Sequence, residues 1–171
     1  MIIYIIGFMG SGKSTTARQL GKKLHYNVVD LDRYIEEREG QSINELFDRR
    51  GEAAFRELER VALREVSTSS GNTVISVGGG TPCYSGNMEY MNQSGATLYL
   101  RHSPEQLAAR LAVSRNPRPL LRGLSAEELT QFVEEKLAQR EEYYNQCSIV
   151  ADNPTRNVSS IVEILRMHPN F

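Results

Sequence analysis

The sequence has little cysteine and almost no net charge, and each shortage argues against a class of protein. Its 171 residues include two cysteines, Cys83 and Cys147, which lack metal-ligand spacing and are expected to be ordinary thiols of a reduced, cytoplasmic protein. A net charge of −1 argues against general binding to nucleic acid or to a membrane surface. The apolar run before Gly7 is too short for a signal peptide or a membrane span.

Lysine is also scarce, with four residues against sixteen arginines. Arginine is the better side chain for bidentate recognition of carboxylate and phosphate groups. Codon bias of the host is the alternative explanation, and composition alone leaves both open.

Apolar strands alternate with amphipathic helices along the chain. Such alternation predicts an α/β fold in three layers, a five-stranded parallel sheet with helices on both faces, in a single domain over 1–171. Ligands of such sheets bind at the carboxyl ends of the strands. The predicted strands are 1–6, 27–31, 73–77, 96–100 and 147–151.

Several helix starts and buried faces are readable from capping residues and from helical spacing. Ser42 with Glu45 and Ser125 with Glu128 have capping-box spacing, and Ser103-Pro104 is a cap followed by proline at the first helical position. Asn157 is a candidate cap for a last helix. The residues expected to face inward are Ala17, Leu20, Leu24, Phe55, Leu58, Ala62, Val66, Ile161, Ile164 and Leu165.

The strongest motif is GFMGSGKS, residues 7–14, which follows the first strand and opens a helix. It matches the phosphate-binding P-loop, in which glycines turn backbone N–H groups toward a phosphate at a helix N-terminus. Lys13 would reach the β- and γ-phosphates, and the Ser14 hydroxyl would face Mg²⁺. The alternative is a glycine-rich turn with a solvated lysine. The predicted nucleotide-binding residues of this loop are Gly10, Ser11, Gly12, Lys13, Ser14 and Thr15.

Two carboxylates, Asp30 and Asp32, follow the apolar residues of the second strand. If both end the strand, they point to one side about 7 Å apart and open toward the phosphate loop. The alternative is a helix start, since acidic residues are favoured in a first turn. Their position beside a P-loop favours a functional pair.

The chain lacks the N-K-x-D motif of GTPases and the long insertions of motor or transporter ATPases, which leaves a small-molecule kinase. From the P-loop to about Arg156 it resembles the shikimate kinase family. The stretches that carry the resemblance are DLD (30–32), FRELE (55–59), VGGGTP (77–82), RPLL (118–121) and AQREEYY (138–144).

The resemblance implies ATP and shikimate as substrates, with Mg²⁺. The family's counterpart of Asp32 binds ring hydroxyls, including the 3-hydroxyl that attacks the γ-phosphate, as an orienting group, a proton acceptor or both. The counterpart of Asp30 acts near Mg²⁺ through water. The resemblance implies three catalytic residues: Asp32, Lys13 of the P-loop, and Arg118 of the RPLL stretch.

Arg56 and Arg140 match the family's carboxylate-binding arginines, and Gly79 matches an amide that contacts the substrate. Glu59 could hold Arg56 in place from behind, next to Phe55. Without the resemblance, Arg140 would be an exposed helix arginine. Arg60 and Arg64 are expected to lie on a solvated, salt-bridged face, and the glycines could simply form a tight loop. The expected shikimate-binding residues are Asp32, Arg56, Gly78, Gly79, Gly80 and Arg140.

The segment 114–124 holds Pro117, Pro119 and Gly123 and matches the family's mobile lid, with Arg118 as the arginine that reaches the transferring phosphate. Arg110 and Arg156 match the pair that packs around adenine. The interval from Arg110 to Arg118 is one residue longer than in some relatives.

The helical segment 32–66 is expected to bind the acceptor, and the protein is expected to act as a monomer. Two rivals remain open at this point. One is a gluconate-type or nucleotide kinase of similar layout, and the other is a nucleotide-binding regulatory module without turnover.

Overall fold

The computed structural model describes residues 1–68, 71–114, 121–154 and 158–168. The predictions for Arg118, Arg156 and the Asn157 cap, and most of the predicted lid, lie outside these residues.

Five parallel strands form one sheet in the order β2-β3-β1-β4-β5, which confirms the predicted sheet. The central strands are buried because helices cover both faces, as their continuous apolar runs indicated. Ile5 of β1 pairs with Ser76 of β3, which pairs with Asp30 of β2, so these strands end at one edge. The strands are β1 (Ile2–Ile6), β2 (Asn27–Asp30), β3 (Thr73–Ser76), β4 (Ala96–Arg101) and β5 (Ile149–Asp152).

Helices cover both faces of the sheet and close two apolar clusters. Ala17 and Leu20 of the first helix pack with Leu165 of the last against one face. Phe55, Ala62 and residues of the later helices pack against the other. The helices are α1 (Lys13–Leu24), α2 (Leu31–Glu39), α3 (Ile43–Ser67), α4 (Asn87–Ser94), α5 (Pro104–Ala112), α6 (Ala126–Tyr144) and α7 (Val158–Arg166), with a short 3₁₀ turn at Thr81–Cys83.

The predicted helix starts at Ser42, Ser103 and Ser125 are present, each with a complete capping box. Gly51, at φ 80°, interrupts α3 and divides it into two helical parts. The inward position predicted for Ile164 is wrong: its side chain is 38% exposed, and Val162 is buried in its place.

The strand spacing predicted for Asp30 and Asp32 is also wrong. β2 ends at Asp30, whose side chain accepts a hydrogen bond from the Arg33 N–H at 3.3 Å and caps α2. Asp32 lies in the first turn of α2. The helix-start alternative was correct because aspartate is a favoured N-cap and carboxylates are favoured near the positive end of a helix.

Candidate active site

The P-loop connects the carboxyl end of β1 to the first turn of α1. Gly10 and Gly12 have φ values of 79° and 93°, which residues with a side chain rarely adopt, and Gly12 is the N-cap of α1. Ser11 is buried, whereas Ser14 and Thr15 are exposed. The loop therefore presents a helix N-terminus with exposed hydroxyls, as an anion-binding loop requires.

Lys13 is the first residue of α1, and its ammonium group lies over the loop. Its Nζ donates hydrogen bonds to the carbonyl oxygens of Gly7 and Phe8, both at 2.9 Å. An ammonium group has three donors, and phosphate oxygens can replace these neutral carbonyls as stronger, charged acceptors.

Ser14 and Asp30 are joined beside the loop. The Ser14 hydroxyl donates to Asp30 Oδ2 at 2.6 Å and lies 3.4 Å from the Ser76 hydroxyl. Oxygen ligands of this kind suit Mg²⁺, which takes one or two protein ligands together with waters and substrate phosphates. No group of three or more His, Cys, Asp or Glu suited to a metal occurs within the described ranges. The Ser14 hydroxyl and the Asp30 carboxylate fit a magnesium ion that arrives with a nucleotide.

Asp32 lies deeper than Asp30, at the foot of α2. Burial, reinforced by the charges of Glu59 and Asp30 and opposed by Lys13, raises the pKa of Asp32 from its ordinary value of 3.8 to about 6. A carboxylate with a pKa near neutrality accepts a proton more readily than an ordinary one, so the position suits a general base as well as an orienting group.

Gly78 lies where Asp32 meets Glu59. A Cβ atom on Gly78 would lie 3.1 Å from Asp32 Oδ1, 3.1 Å from Glu59 Oε1 and 3.0 Å from the Thr81 hydroxyl. The two carboxylate oxygens are therefore no more than twice that distance apart. Any side chain at Gly78 would push into this pair.

The next two glycines make room for the two predicted carboxylate-binding arginines. A Cβ on Gly79 would lie 3.2 Å from Arg140 Nη1, and one on Gly80 would lie 2.7 Å from Arg56 Nη2. The glycine loop is thus the point on which Asp32, Arg56 and Arg140 converge, although they come from three different helices. The sequence analysis explained these glycines by a substrate contact or by a tight loop, and it did not include the space that the arginines require.

Arg56 is held on several sides, and its side chain is only 13% exposed. Nη1 donates to Glu59 Oε2 at 2.8 Å, while exposed Glu52 lies 3.5 Å from Nη2. The guanidinium carbon lies 4.2 Å from the ring centroid of Tyr84 and 5.3 Å from that of Phe55. This packing pre-orients the guanidinium fork.

Arg60 and Arg64, the two arginines that follow Arg56 on α3, differ from each other in their partners. Arg60 pairs with Glu57 on the solvated surface, as predicted. Arg64 does not: its Nη1 donates to Asn87 Oδ1 at 3.0 Å, and its guanidinium lies 4.4 Å from the Tyr90 ring centroid. The sequence analysis expected both on one solvated face and missed this difference, because the partners of Arg64 come from α4.

Arg140 lies on α6, with its guanidinium carbon 5.5 Å from the Phe8 ring centroid. One turn later, buried Tyr144 donates its hydroxyl hydrogen to the Gly79 carbonyl at 2.5 Å. Burial raises the pKa of Tyr144, so the hydroxyl remains a donor. Sequence reasoning missed Tyr144, although it falls within the AQREEYY stretch.

Arg110 lies against the P-loop from α5. Its Nη1 donates to the Gly10 carbonyl at 3.2 Å and lies 3.3 Å from His102 Nε2, which is 3.2 Å from the Ser11 carbonyl. Burial and the Arg110 charge lower the pKa of His102. Sequence reasoning missed His102, although it directly follows β4 at the ligand-binding edge.

A cleft of about 620 Å³ opens between α1, β2 and α2. Ser14, Asp30 and Asp32 line it together with Ser76, so the Ser14–Asp30 contact and Asp32 share one space. Neither Arg56 nor Arg140 is among its lining residues; they lie beyond Asp32, around the glycine loop.

Comparison with known proteins identifies relatives along most of the chain. A family model described as "Shikimate kinase" matches residues 9–167. A curated protein named shikimate kinase from Parabacteroides distasonis is 45% identical over 150 residues, which cover 88% of this chain and 86% of the relative.

Solved structures agree with these relatives. A crystal structure of shikimate kinase from Bacteroides thetaiotaomicron has a TM-score of 0.90 at 40% identity and covers 98% of this chain and 97% of that one. Shikimate kinase from Acinetobacter baumannii, in complex with shikimate, has a TM-score of 0.85 at 28% identity, covering 98% and 94%. Within the described residues, none of the helices has the length and apolar character needed to cross a membrane.

Proposed function

The chain belongs to the shikimate kinase family, and we propose that it transfers the γ-phosphate of ATP to the 3-hydroxyl of shikimate, giving shikimate 3-phosphate and ADP. One observation carries this proposal beyond the family name. Asp32, Arg56 and Arg140 converge on the Gly78–Gly80 loop next to the P-loop, which matches a small molecule with hydroxyls at one end and a carboxylate at the other.

On the donor side, the P-loop backbone and Lys13 bind the phosphates of ATP. Lys13 leaves the carbonyls of Gly7 and Phe8 and follows the negative charge of the transferring phosphoryl group. Ser14 and Asp30 would hold Mg²⁺, Asp30 through water as the family resemblance implies, and the ion would supply neutralisation of the phosphate charge.

On the acceptor side, Arg56 and Arg140 bind the shikimate carboxylate, and this anchors the ring. Asp32 accepts a hydrogen bond from the 3-hydroxyl and aims its oxygen at the γ-phosphorus. Phosphoryl transfer has a loose transition state, so alignment contributes much of the rate enhancement. The near-neutral pKa of Asp32 also allows it to take the hydroxyl proton.

The remaining assignments rest on the family resemblance. Arg118, in a lid over 114–124, reaches the transferring phosphate, and Arg110 packs at the adenine with Arg156. The contact of Arg110 with the Gly10 carbonyl supports its place at the nucleotide. We further propose a single domain acting as a cytoplasmic monomer, with acceptor contacts from the segment 32–66.

The measurement that tests this function is ADP release with ATP and Mg²⁺ against a panel of shikimate, gluconate and nucleoside monophosphates. We expect turnover with shikimate only. Shikimate methyl ester, which lacks the negative charge, is the matched control and should be a poor substrate because Arg56 and Arg140 lose their partner. Preference for gluconate or a nucleotide would identify the rival kinase, and absence of turnover with every acceptor would support a regulatory module.

A further inference from the structure

A chain of buried polar side chains runs behind the acceptor site. Asn87, Thr81 and Glu59 are all at most 1% exposed. The Thr81 hydroxyl donates to Glu59 Oε1 at 2.6 Å, and the Asn87 amide donates to the Thr81 carbonyl at 3.0 Å. At its two ends the chain is closed by arginines, with Arg64 on Asn87 and Arg56 on Glu59.

Among these buried side chains, Thr81 determines which partner each of the two Glu59 carboxylate oxygens has. Oε2 accepts from Arg56, and Oε1, the oxygen that faces Asp32 across Gly78, accepts from Thr81. A buried carboxylate that loses one of two donors is left undersatisfied and turns toward other partners. If Glu59 turned, the Arg56 fork would lose its fixed orientation.

Thr81 also holds the glycine loop itself. Its N–H donates to the Gly78 carbonyl at 3.1 Å, and its own carbonyl is held by Asn87. A single residue therefore connects the backbone beside Asp32 with the carboxylate behind Arg56.

We propose that Thr81 is a positioning residue for acceptor binding, acting through Glu59 on Arg56. This inference rests on the proposed function, because it concerns the carboxylate end of the same acceptor site. Thr81 is fully buried, and its hydroxyl is directed to Glu59. Its hydroxyl affects the affinity for the acceptor and leaves the nucleotide site unchanged.

The experiment compares Thr81→Val, which keeps the shape and removes the hydroxyl, with Thr81→Ser, which keeps the hydroxyl. We expect Thr81→Val to raise the KM for shikimate about fivefold to tenfold, as suits the loss of one buried hydrogen bond. The KM for ATP should stay within about twofold of the wild-type value. Thr81→Ser should restore the shikimate KM.

Thr97→Val is the matched control. Thr97 is also fully buried, and its hydroxyl bonds Asn92 and Ser148 away from the site. It should lower the melting temperature without changing the shikimate KM. If Thr81→Val does not fold, Thr81→Ala serves in its place, since a smaller side chain adds no clash.

A second test is the double variant Thr81→Val with Glu59→Gln. If Thr81 acts through Glu59, the shikimate KM of the double variant should be little higher than that of Glu59→Gln alone. A normal shikimate KM in folded Thr81→Val, or an equal rise in the ATP KM, would overturn the inference while leaving the proposed function intact. Wild-type enzyme without shikimate turnover would overturn both.

Discussion

The acceptor half and the donor half of the site are held together in different ways. Around the glycine loop, Arg56 pairs with its helix neighbour Glu59, and the other contacts join distant parts of the sequence: Glu59 with Thr81, and Tyr144 with the Gly79 carbonyl. At the P-loop, Lys13 bonds to carbonyls of its own loop.

This difference indicates which half of the site must exchange hydrogen-bond partners when substrates bind. Buried groups held by charge-assisted hydrogen bonds are costly to rearrange, so the acceptor half is pre-organised. In the donor half, Lys13 can exchange the Gly7 and Phe8 carbonyls for phosphate because these contacts are only partly buried, and the exposed Ser14–Asp30 hydrogen bond can give way to a metal. Substitutions should therefore separate into two groups, those that affect nucleotide or metal and those that affect shikimate.

The largest effect is expected for Lys13→Ala on the donor half. It should lower kcat by at least about a hundredfold, the scale seen when a charge-stabilising donor is removed from a transition state. The fold should remain, because the substitution shortens only the Lys13 side chain and leaves the rest of the loop as it is. Turnover and circular dichroism measured together test this, with Lys22→Ala, an exposed lysine of the same helix, as control. Near-normal turnover would contradict the P-loop assignment.

Asp32→Asn tests the deepest point of the acceptor half. It should lower kcat by about tenfold to a thousandfold, because the charge that orients or deprotonates the hydroxyl is removed. ATP and Mg²⁺ binding should be nearly unchanged. In the wild type, kcat/KM should fall as the pH drops through about 6, where Asp32 becomes protonated. Unchanged turnover in the variant would exclude both roles.

The same substitution should stabilise the protein at neutral pH. Since the pKa of Asp32 is raised in the folded state, the folded protein binds more protons between about pH 3.8 and 6, and stability falls as the pH rises through that window. Asp32→Asn should therefore raise the free energy of unfolding by about 1–3 kcal/mol at pH 7.5, with little change at pH 3.5. Denaturant titration at both values checks this against exposed Asp48→Asn. Equal effects at both pH values would mean that the negative charge of Asp32 does not destabilise the folded protein.

Sequence reasoning predicted the donor half better than the acceptor half. The P-loop is one continuous segment, so its glycines, Lys13 and Ser14 could be interpreted together. The acceptor half is assembled from segments far apart in sequence, and Arg140 could be assigned only through the family resemblance. Thr81, Tyr144 and His102 were missed because each has a hydrogen-bond partner more than twenty residues away in the sequence.

The same contrast explains the errors in the fold. The positions of the strands and the capping boxes followed from local pattern, since apolar runs and cap spacing are set within a few residues. Asp32 was misplaced because the residues around Asp30 suit both the end of a strand and the start of a helix. The N-cap formed by Asp30 decides in favour of the helix. Ile164 was misplaced because helical spacing allowed either side of α7, and packing selected Val162.

Arg56→Ala and Arg140→Ala test whether the acceptor half binds a carboxylate. Each should weaken shikimate binding by about tenfold to a hundredfold, the cost of one charge-assisted hydrogen bond, with ATP binding nearly unchanged. Titration calorimetry with each ligand measures both, and Arg60→Ala is the control from the solvated face of α3. Normal shikimate affinity in both variants would place the carboxylate site elsewhere.

The smallest effect is expected for Asp30→Asn, which sharpens the boundary between the two halves. Asparagine also caps helices well, so α2 should keep its start. What is lost is one negative charge near the metal, roughly 1 kcal/mol in a solvated setting, or about a fivefold higher Mg²⁺ requirement. The activity of this variant should recover at high Mg²⁺, whereas that of Asp32→Asn should not. The measurement is activity against Mg²⁺ concentration for both variants at saturating ATP and shikimate. Identical profiles with equal losses would mean that the two carboxylates act as one unit, and the separation of a donor half from an acceptor half would not hold at this point.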